Sequence, residues 1–135
     1  MLNNNNYNGI KIAAIFGFFG VMIGAMGAHA LKPHLSEYQM YIFEKGVHYQ
    51  FYHTLALLGV GLFQLVDEKP NALNRVLWLF VAGIFCFSGS LYLLACRDLI
   101  PFSVVWAGPI TPIGGLLFMG AWGGLFWSAY QRSKQ

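Results

Sequence analysis

Apolar residues recur along this chain in four long stretches, each near the ~20 residues that a helix needs to cross a bilayer, and polar or turn-forming residues gather between them. The first stretch, helix 1, runs from about Ile10 to Ala30 after an uncharged, Asn-rich start (Asn3 to Asn6) that is too polar to pack. Ala28-His29-Ala30 has the small-x-small form of a signal-peptide cleavage site. The apolar run exceeds the usual signal core of about 7–15 residues and only Lys11 precedes it as a positive charge, so helix 1 is expected to be retained.

Ser36 and Gln39 have the spacing of a capping box and open a short segment to Lys45 that carries Tyr38, Tyr41, Ile42 and Phe43. Aromatic rings with polar tips suit the headgroup layer, so this segment is predicted to be an interfacial helix, with Gly46 permitting a turn into helix 2 at about Val47 to Val66. A plain extension of helix 2 is the simpler alternative. Asp67 to Asn71 forms a charged, Pro-containing aqueous loop. Helix 3 follows from about Leu73 to Cys96, and an apolar, aromatic connection with Phe102 and Trp106 leads to Gly108-Pro109-Ile110-Thr111-Pro112. Thr111 is expected to cap helix 4 with Pro112 at its first position, where a missing N–H costs nothing. Helix 4 extends to about Tyr130. The predicted fold is therefore all-α: residues 1–9 a disordered polar start, 10–130 a single four-helix transmembrane bundle, and 131–135 a cytoplasmic tail.

Composition agrees with this pattern. Of 135 residues, 57% are hydrophobic and 10% charged, against about 25% charged in soluble domains, so a soluble catalytic domain is excluded. The net charge of +3 does not make a nucleic-acid-binding protein. Lys11, Lys69, Arg75, Arg132 and Lys134 fall on one side of the predicted membrane, and Lys32, Lys45 and Arg97 on the other. Retention of positive charge in the cytoplasm then puts both termini there, in a multi-pass membrane protein.

Membrane helices associate through close packing that small residues allow. At 100° per residue, Ala13, Gly17, Gly20, Gly24, Gly27 and Ala28 share one stripe of helix 1, with Gly20 and Gly24 in GxxxG spacing. Gly83, Cys86 and Ser90 form a similar strip on helix 3, and Gly114, Ala121, Gly124 and Ser128 on helix 4. These stripes hold the bundle together or join it to a second copy. Leu at Gly24 is accordingly expected to destabilise the bundle far more than Leu at Gly9, which precedes the stripe. Cys86 and Cys96 stand ten positions apart, about 15 Å on one helix, too far for a disulfide.

The four histidines lie between positions 29 and 53. His29 at the end of helix 1 and His53 within helix 2 are functional suspects, because ionisable groups at membrane depth are costly. Tyr49, one turn before His53, and Gln50 complete a candidate polar cluster in the outer half of the bundle. A bis-histidine haem on His29 and His53 is the sharpest cofactor hypothesis, since bundles build such sites from facing helices. Against it, a neutral His53 bonded to Tyr49 or to a carbonyl is a good interhelical clasp. No carboxylate lies within the four stretches, and no zinc pattern, nucleophile motif or phosphate loop occurs. Neither a metal nor a cofactor is expected.

Gly24-Ala25-Met26-Gly27-Ala28-His29-Ala30-Leu31-Lys32, Tyr49-Gln50-Phe51-Tyr52-His53, Gly89-Ser90-Leu91-Tyr92 and Gly108-Pro109-Ile110-Thr111-Pro112-Ile113-Gly114-Gly115 together resemble the YgdD-like family, also called the transmembrane protein 256 family. The resemblance spans nearly the whole chain. It implies a small four-span inner-membrane protein, and because the family is a domain of unknown function it implies no activity, cofactor or catalytic residue. The functional expectation is a non-enzymatic scaffold or accessory component whose partners are membrane lipid, a second copy or a larger membrane complex, with the segments around His29 and Pro109 as rigid corners. Two alternatives compete: a small transporter or channel using the N-terminus of helix 4, or a lipid-, quinone- or haem-binding protein using His29 and His53.

Overall fold

A computed structural model describes residues 7–67 and 71–134, and every regular element among them is helical. Helix α1, Asn8–Met26, continues through a π-helical turn, Gly27–Leu31, and a 3-10 turn, Lys32–His34. Ala28-His29-Ala30 lies inside that π turn. The helix begins before the expected Ile10, because Asn8 and Gly9 are helical and Gly9 is buried. Tertiary contact accounts for this: a Cβ added at Gly9 would lie 2.6 Å from the Gly61 Cα. Residues 1–6, the rest of the predicted disordered start, lie outside the described residues.

The capping box forms as predicted: the Gln39 amide N–H donates to Ser36 Oγ at 3.2 Å, and the Ser36 N–H donates to Gln39 Oε1 at 2.9 Å. It opens α2, Glu37–Val66, an unbroken helix of 30 residues and hence about 45 Å long. The predicted separate interfacial helix is therefore corrected, since residues 37–45 are the first turns of α2. Gly46 does not turn the chain. It is buried in mid-helix, where an added Cβ would meet the Tyr92 ring at 2.7 Å.

Helix α3, Asn71–Ile84, passes through a π-helical turn, Phe85–Gly89, into α4, Ser90–Ala95, forming one rod with a local widening. Two 3-10 turns, Arg97–Leu99 and Val105–Ala107, connect it to α5, Ile110–Arg132. Pro109 takes the N-cap position of α5 with helical φ/ψ and no side-chain cap bond. Thr111 is thus not the predicted cap, and Pro112 stands within the first turn, where its absent N–H still leaves no bond unmade. Of the predicted 67–71 loop, residues 68–70 lie outside the described residues.

Among the described residues three segments, Asn8–His34, Asn71–Ala95 and Val105–Arg132, are long and apolar enough to cross a membrane. α2 is long enough but carries more polar residues: Gln39, Gln50, His53, Thr54 and Gln64 are buried, while Glu37, Glu44, Lys45 and His48 near its start are exposed. Leu57, Val60, Leu73, Phe80, Phe118 and Ala121 form a core shared by α2, α3 and α5, to which α1 adds Ala13. Phe18, Val21, Trp78, Phe85, Leu116 and Phe126 stay exposed. Large apolar side chains outside and amides inside reverse the distribution of a water-soluble domain.

Candidate functional site

The small residues of α1 determine how α2 is placed. Gly20 lies against Phe51 and Gln50, Gly24 against Val47, and Gly27 against the Phe43 ring, while Gly17 meets Thr54 at an ordinary 3.7 Å. These pairings run antiparallel and bring Gln50 close to the α1 backbone, where its Nε2 donates to the Phe16 carbonyl at 2.9 Å. From the other side, the Tyr92 hydroxyl donates to Gln50 Oε1 at 2.8 Å. One amide side chain thus ties α1, α2 and α4 together. Tyr92 was missed as a site residue by chemistry-based reading, although it closes the Gly89-Ser90-Leu91-Tyr92 motif. A polar tip on an otherwise apolar stretch is the signal that could have found it.

His53 is buried beside this tie. Its Nδ1 lies 2.7 Å from the Tyr49 carbonyl oxygen, and because a carbonyl only accepts, Nδ1–H is the donor and Nε2 carries the lone pair of the neutral tautomer. Nε2 makes no hydrogen bond among the described residues. The imidazole stacks on the Phe118 ring at 3.4 Å between centroids and 5° between planes, with Tyr49, Phe80 and Trp122 around it. Gly83 makes room for this arrangement, since a Cβ there would meet Phe118 Cε1 at 2.6 Å. The sequence of causes runs from a glycine on α3, through a ring on α5, to the histidine on α2.

His29 does not join the cluster. It is exposed in the π turn after α1. Because Gly17 faces Thr54 while Gly27 faces Phe43, His29 and His53 are separated by about eleven residues along the helix axis, or about 17 Å. A haem ligated by both is geometrically excluded. Tyr49, Gln50 and His53 lie near the middle of α2.

Thr111 takes a different role from the one predicted. Its Oγ1 lies 2.6 Å from Ser90 Oγ, and Ser90 Oγ donates to the Phe87 carbonyl at 2.9 Å. The Thr111 hydroxyl is then the donor to Ser90. This pair joins the start of α5 to the end of the π turn, and Gly114 carries the contact further by lying against the Phe87 backbone. Gly124 packs on Val76, with an added Cβ at 2.9 Å from Cγ2. The Thr54 and Ser88 hydroxyls are buried with no hydrogen bond among the described residues. Polar bonds also clasp both ends: Gln39 Nε2 donates to Asp98 at 2.7 Å, Gln64 Nε2 to Asn74 at 2.7 Å, and Arg132 pairs with Asp67. Among the described residues no group of His, Cys, Asp or Glu could hold a metal ion.

Apolar exterior, glycine-packed helices and internal amide ties define a helical membrane protein. A family model described as a protein of unknown function (DUF423) matches residues 23–115, and the chain belongs to that family. It is 40% identical to a UPF0382 membrane protein of Staphylococcus haemolyticus over 84% of this chain and 87% of that one. It is 39% identical to a UPF0382 membrane protein of Haemophilus influenzae, over 90% and 93% of the two chains. The UPF0382 inner membrane protein YgdD of Escherichia coli is 36% identical over 82% of this chain and 79% of its own. No solved structure matches.

Proposed function

We propose that this protein is a four-span accessory component of the inner membrane, a rigid non-enzymatic element that packs against lipid or a partner, with both termini in the cytoplasm. The observation that carries the reading is the use made of its larger interior polar groups. Gln50 joins three helices, Gln64 and Gln39 join helix ends, and His53 is bonded to its own helix and covered by Phe118. Polar groups spent on structure support a clasp rather than a transport path, in which they would line a water-filled cavity. α2 supports the fourth span: beyond the exposed His48 its outer face carries Tyr49, Tyr52, Leu55, Leu58 and Leu62, so from there on lipid would meet an apolar surface while the amides stay inside. The five-to-three division of Lys and Arg supports the orientation.

The test is proton flux into liposomes containing the purified protein, measured for the wild type and for His53→Gln, which keeps hydrogen-bonding capacity but does not titrate near neutral pH. Equal, background-level flux and equal thermal stability are expected. Flux by the wild type that His53→Gln abolishes with folding intact would overturn the accessory reading. Alkaline phosphatase fused after Arg132 is expected to be inactive, and activity there would invert the orientation.

A further inference from the structure

α1 and the α3/α4 rod do not close against each other along their whole length. Between them runs an apolar groove of about 600 Å³, walled by Ile12, Ile15, Phe19 and Ile23 on one side and by Trp78, Phe85 and Gly89 on the other, with Gln50 and Tyr92 at its floor. Phe16 and Phe85 bridge the walls edge to face, with centroids 5.4 Å apart. From Ile12 to Ile23 the groove extends about 16 Å, close to half of the ~30 Å hydrocarbon core, which is the depth of one leaflet. At the end where α1 and α3 both begin, Lys11 lies one turn before Ile15 and Arg75 one turn before Trp78, and both are exposed.

We propose that this groove holds one acyl chain of an anionic phospholipid, whose phosphate is bound by Lys11 and Arg75. Three features select this occupant. The walls approach each other through Phe16 and Phe85, which leaves no room for a helix about 10 Å across but admits a hydrocarbon chain. Gln50 and Tyr92 bond to each other and to the Phe16 carbonyl, and the surface that the groove presents is apolar, which suits a hydrocarbon chain better than a polar ring. The two cations at one mouth complement a phosphate, and basic residues between helices near the membrane surface suit anionic headgroups. The inference rests on the four-span reading, which sets Lys11 and Arg75 at one membrane face.

Gly89 supplies the discriminating variant. It has helical φ/ψ, an added Cβ would meet nothing within 4 Å, and it lines the groove, so Gly89→Leu fills the space without displacing the backbone. The full-length protein in mild detergent is titrated with phosphatidylglycerol and with phosphatidylcholine of the same acyl chains and read by native mass spectrometry. The wild type is expected to retain one phosphatidylglycerol at least tenfold more strongly than phosphatidylcholine. Lys11→Gln with Arg75→Gln should abolish that preference, and Gly89→Leu should remove the bound lipid while the melting temperature stays unchanged. Ile15→Trp, filling the groove from the opposite wall at an exposed position, should repeat the loss if Gly89→Leu folds poorly. Equal retention of the two lipids by the wild type, lipid retained by both filled variants, or a dimer that both filled variants dissociate would each overturn the proposal. A phosphatase fusion after Val66 distinguishes the two failures: activity there with phosphatidylglycerol still selected indicts the four-span reading with cytoplasmic termini, whereas inactivity with no selection indicts the lipid site alone.

Discussion

Along one edge α1 meets α2 through Gly9, Gly20, Gly24 and Gly27; along the other it faces α3 and α4 through Ile12, Ile15, Phe16, Phe19 and Ile23. The first seam is closed enough for Gly9 and Gly61 to pass backbone on backbone, while the second stays open as a groove. Both seams belong to one apolar helix, so hydrophobicity cannot explain the difference. In lipid there is no gain from hiding one hydrocarbon surface against another, and helices join where small side chains permit van der Waals contact between backbones. Where branched and aromatic residues hold the rods apart, the seam stays open, and this is the space we propose for an acyl chain.

Substitutions can break this contrast in graded steps, each read as thermal aggregation in detergent. The largest loss is expected for Gly61→Leu. Its Cβ would lie 2.6 Å from the Ile10 nitrogen and 2.8 Å from the Gly9 carbonyl carbon, and since backbone cannot rotate out of the way, about 3 kcal/mol or more should be lost. Gly59→Leu on the same helix, where an added Cβ meets nothing within 4 Å, should change stability by less than about 0.5 kcal/mol. A large loss at Gly59, where Leu is also the better helix former, would mean that added side-chain bulk on α2 and not close backbone approach sets the cost.

The second comparison lies within α1 and reverses an expectation drawn from the small-residue stripe. Gly9→Leu should destabilise more than Gly24→Leu, because an added Cβ meets the Gly61 Cα at 2.6 Å at the first position and only a movable Val47 methyl at 3.4 Å at the second. A difference of about 1–2 kcal/mol is expected within the usual range for overpacking. Equal losses would show that the crossing at Gly61 relaxes.

The smallest effects should come from the polar tie. Gln50→Leu removes the donor to Phe16 and the acceptor of Tyr92, and Tyr92→Phe removes only the latter bond. Losses of about 1.7 and about 0.6 kcal/mol, respectively, match the range for interhelical hydrogen bonds in membranes. The double variant should lose little more than Gln50→Leu alone, because both changes delete the same bond. Additive losses would place the stabilisation in packing of the two side chains instead of their hydrogen bond.

The helical class, the apolar stretches and the cap of α2 were legible in the residues, because length, hydropathy and the Ser36-to-Gln39 spacing act over a few turns of chain and need no partner. The glycine stripe of α1 was legible as well, since it follows from the period of a single helix. What each glycine does was not. Gly46 reads as a hinge until Tyr92 is seen to fill the space beside it, and Gly9 reads as part of a loose tail until Gly61 crosses it. Likewise His29 and His53 read as one pair and Thr111 as a cap, whereas antiparallel packing of α1 on α2 separates the histidines and the approach of α4 to α5 turns Thr111 toward Ser90. Which segments are helical and apolar is set locally, by the backbone and by side chains within a few turns of one another. Which faces meet and which stay open is set by packing, because it depends on distances between residues far apart in the chain and on the size of the side chains between them.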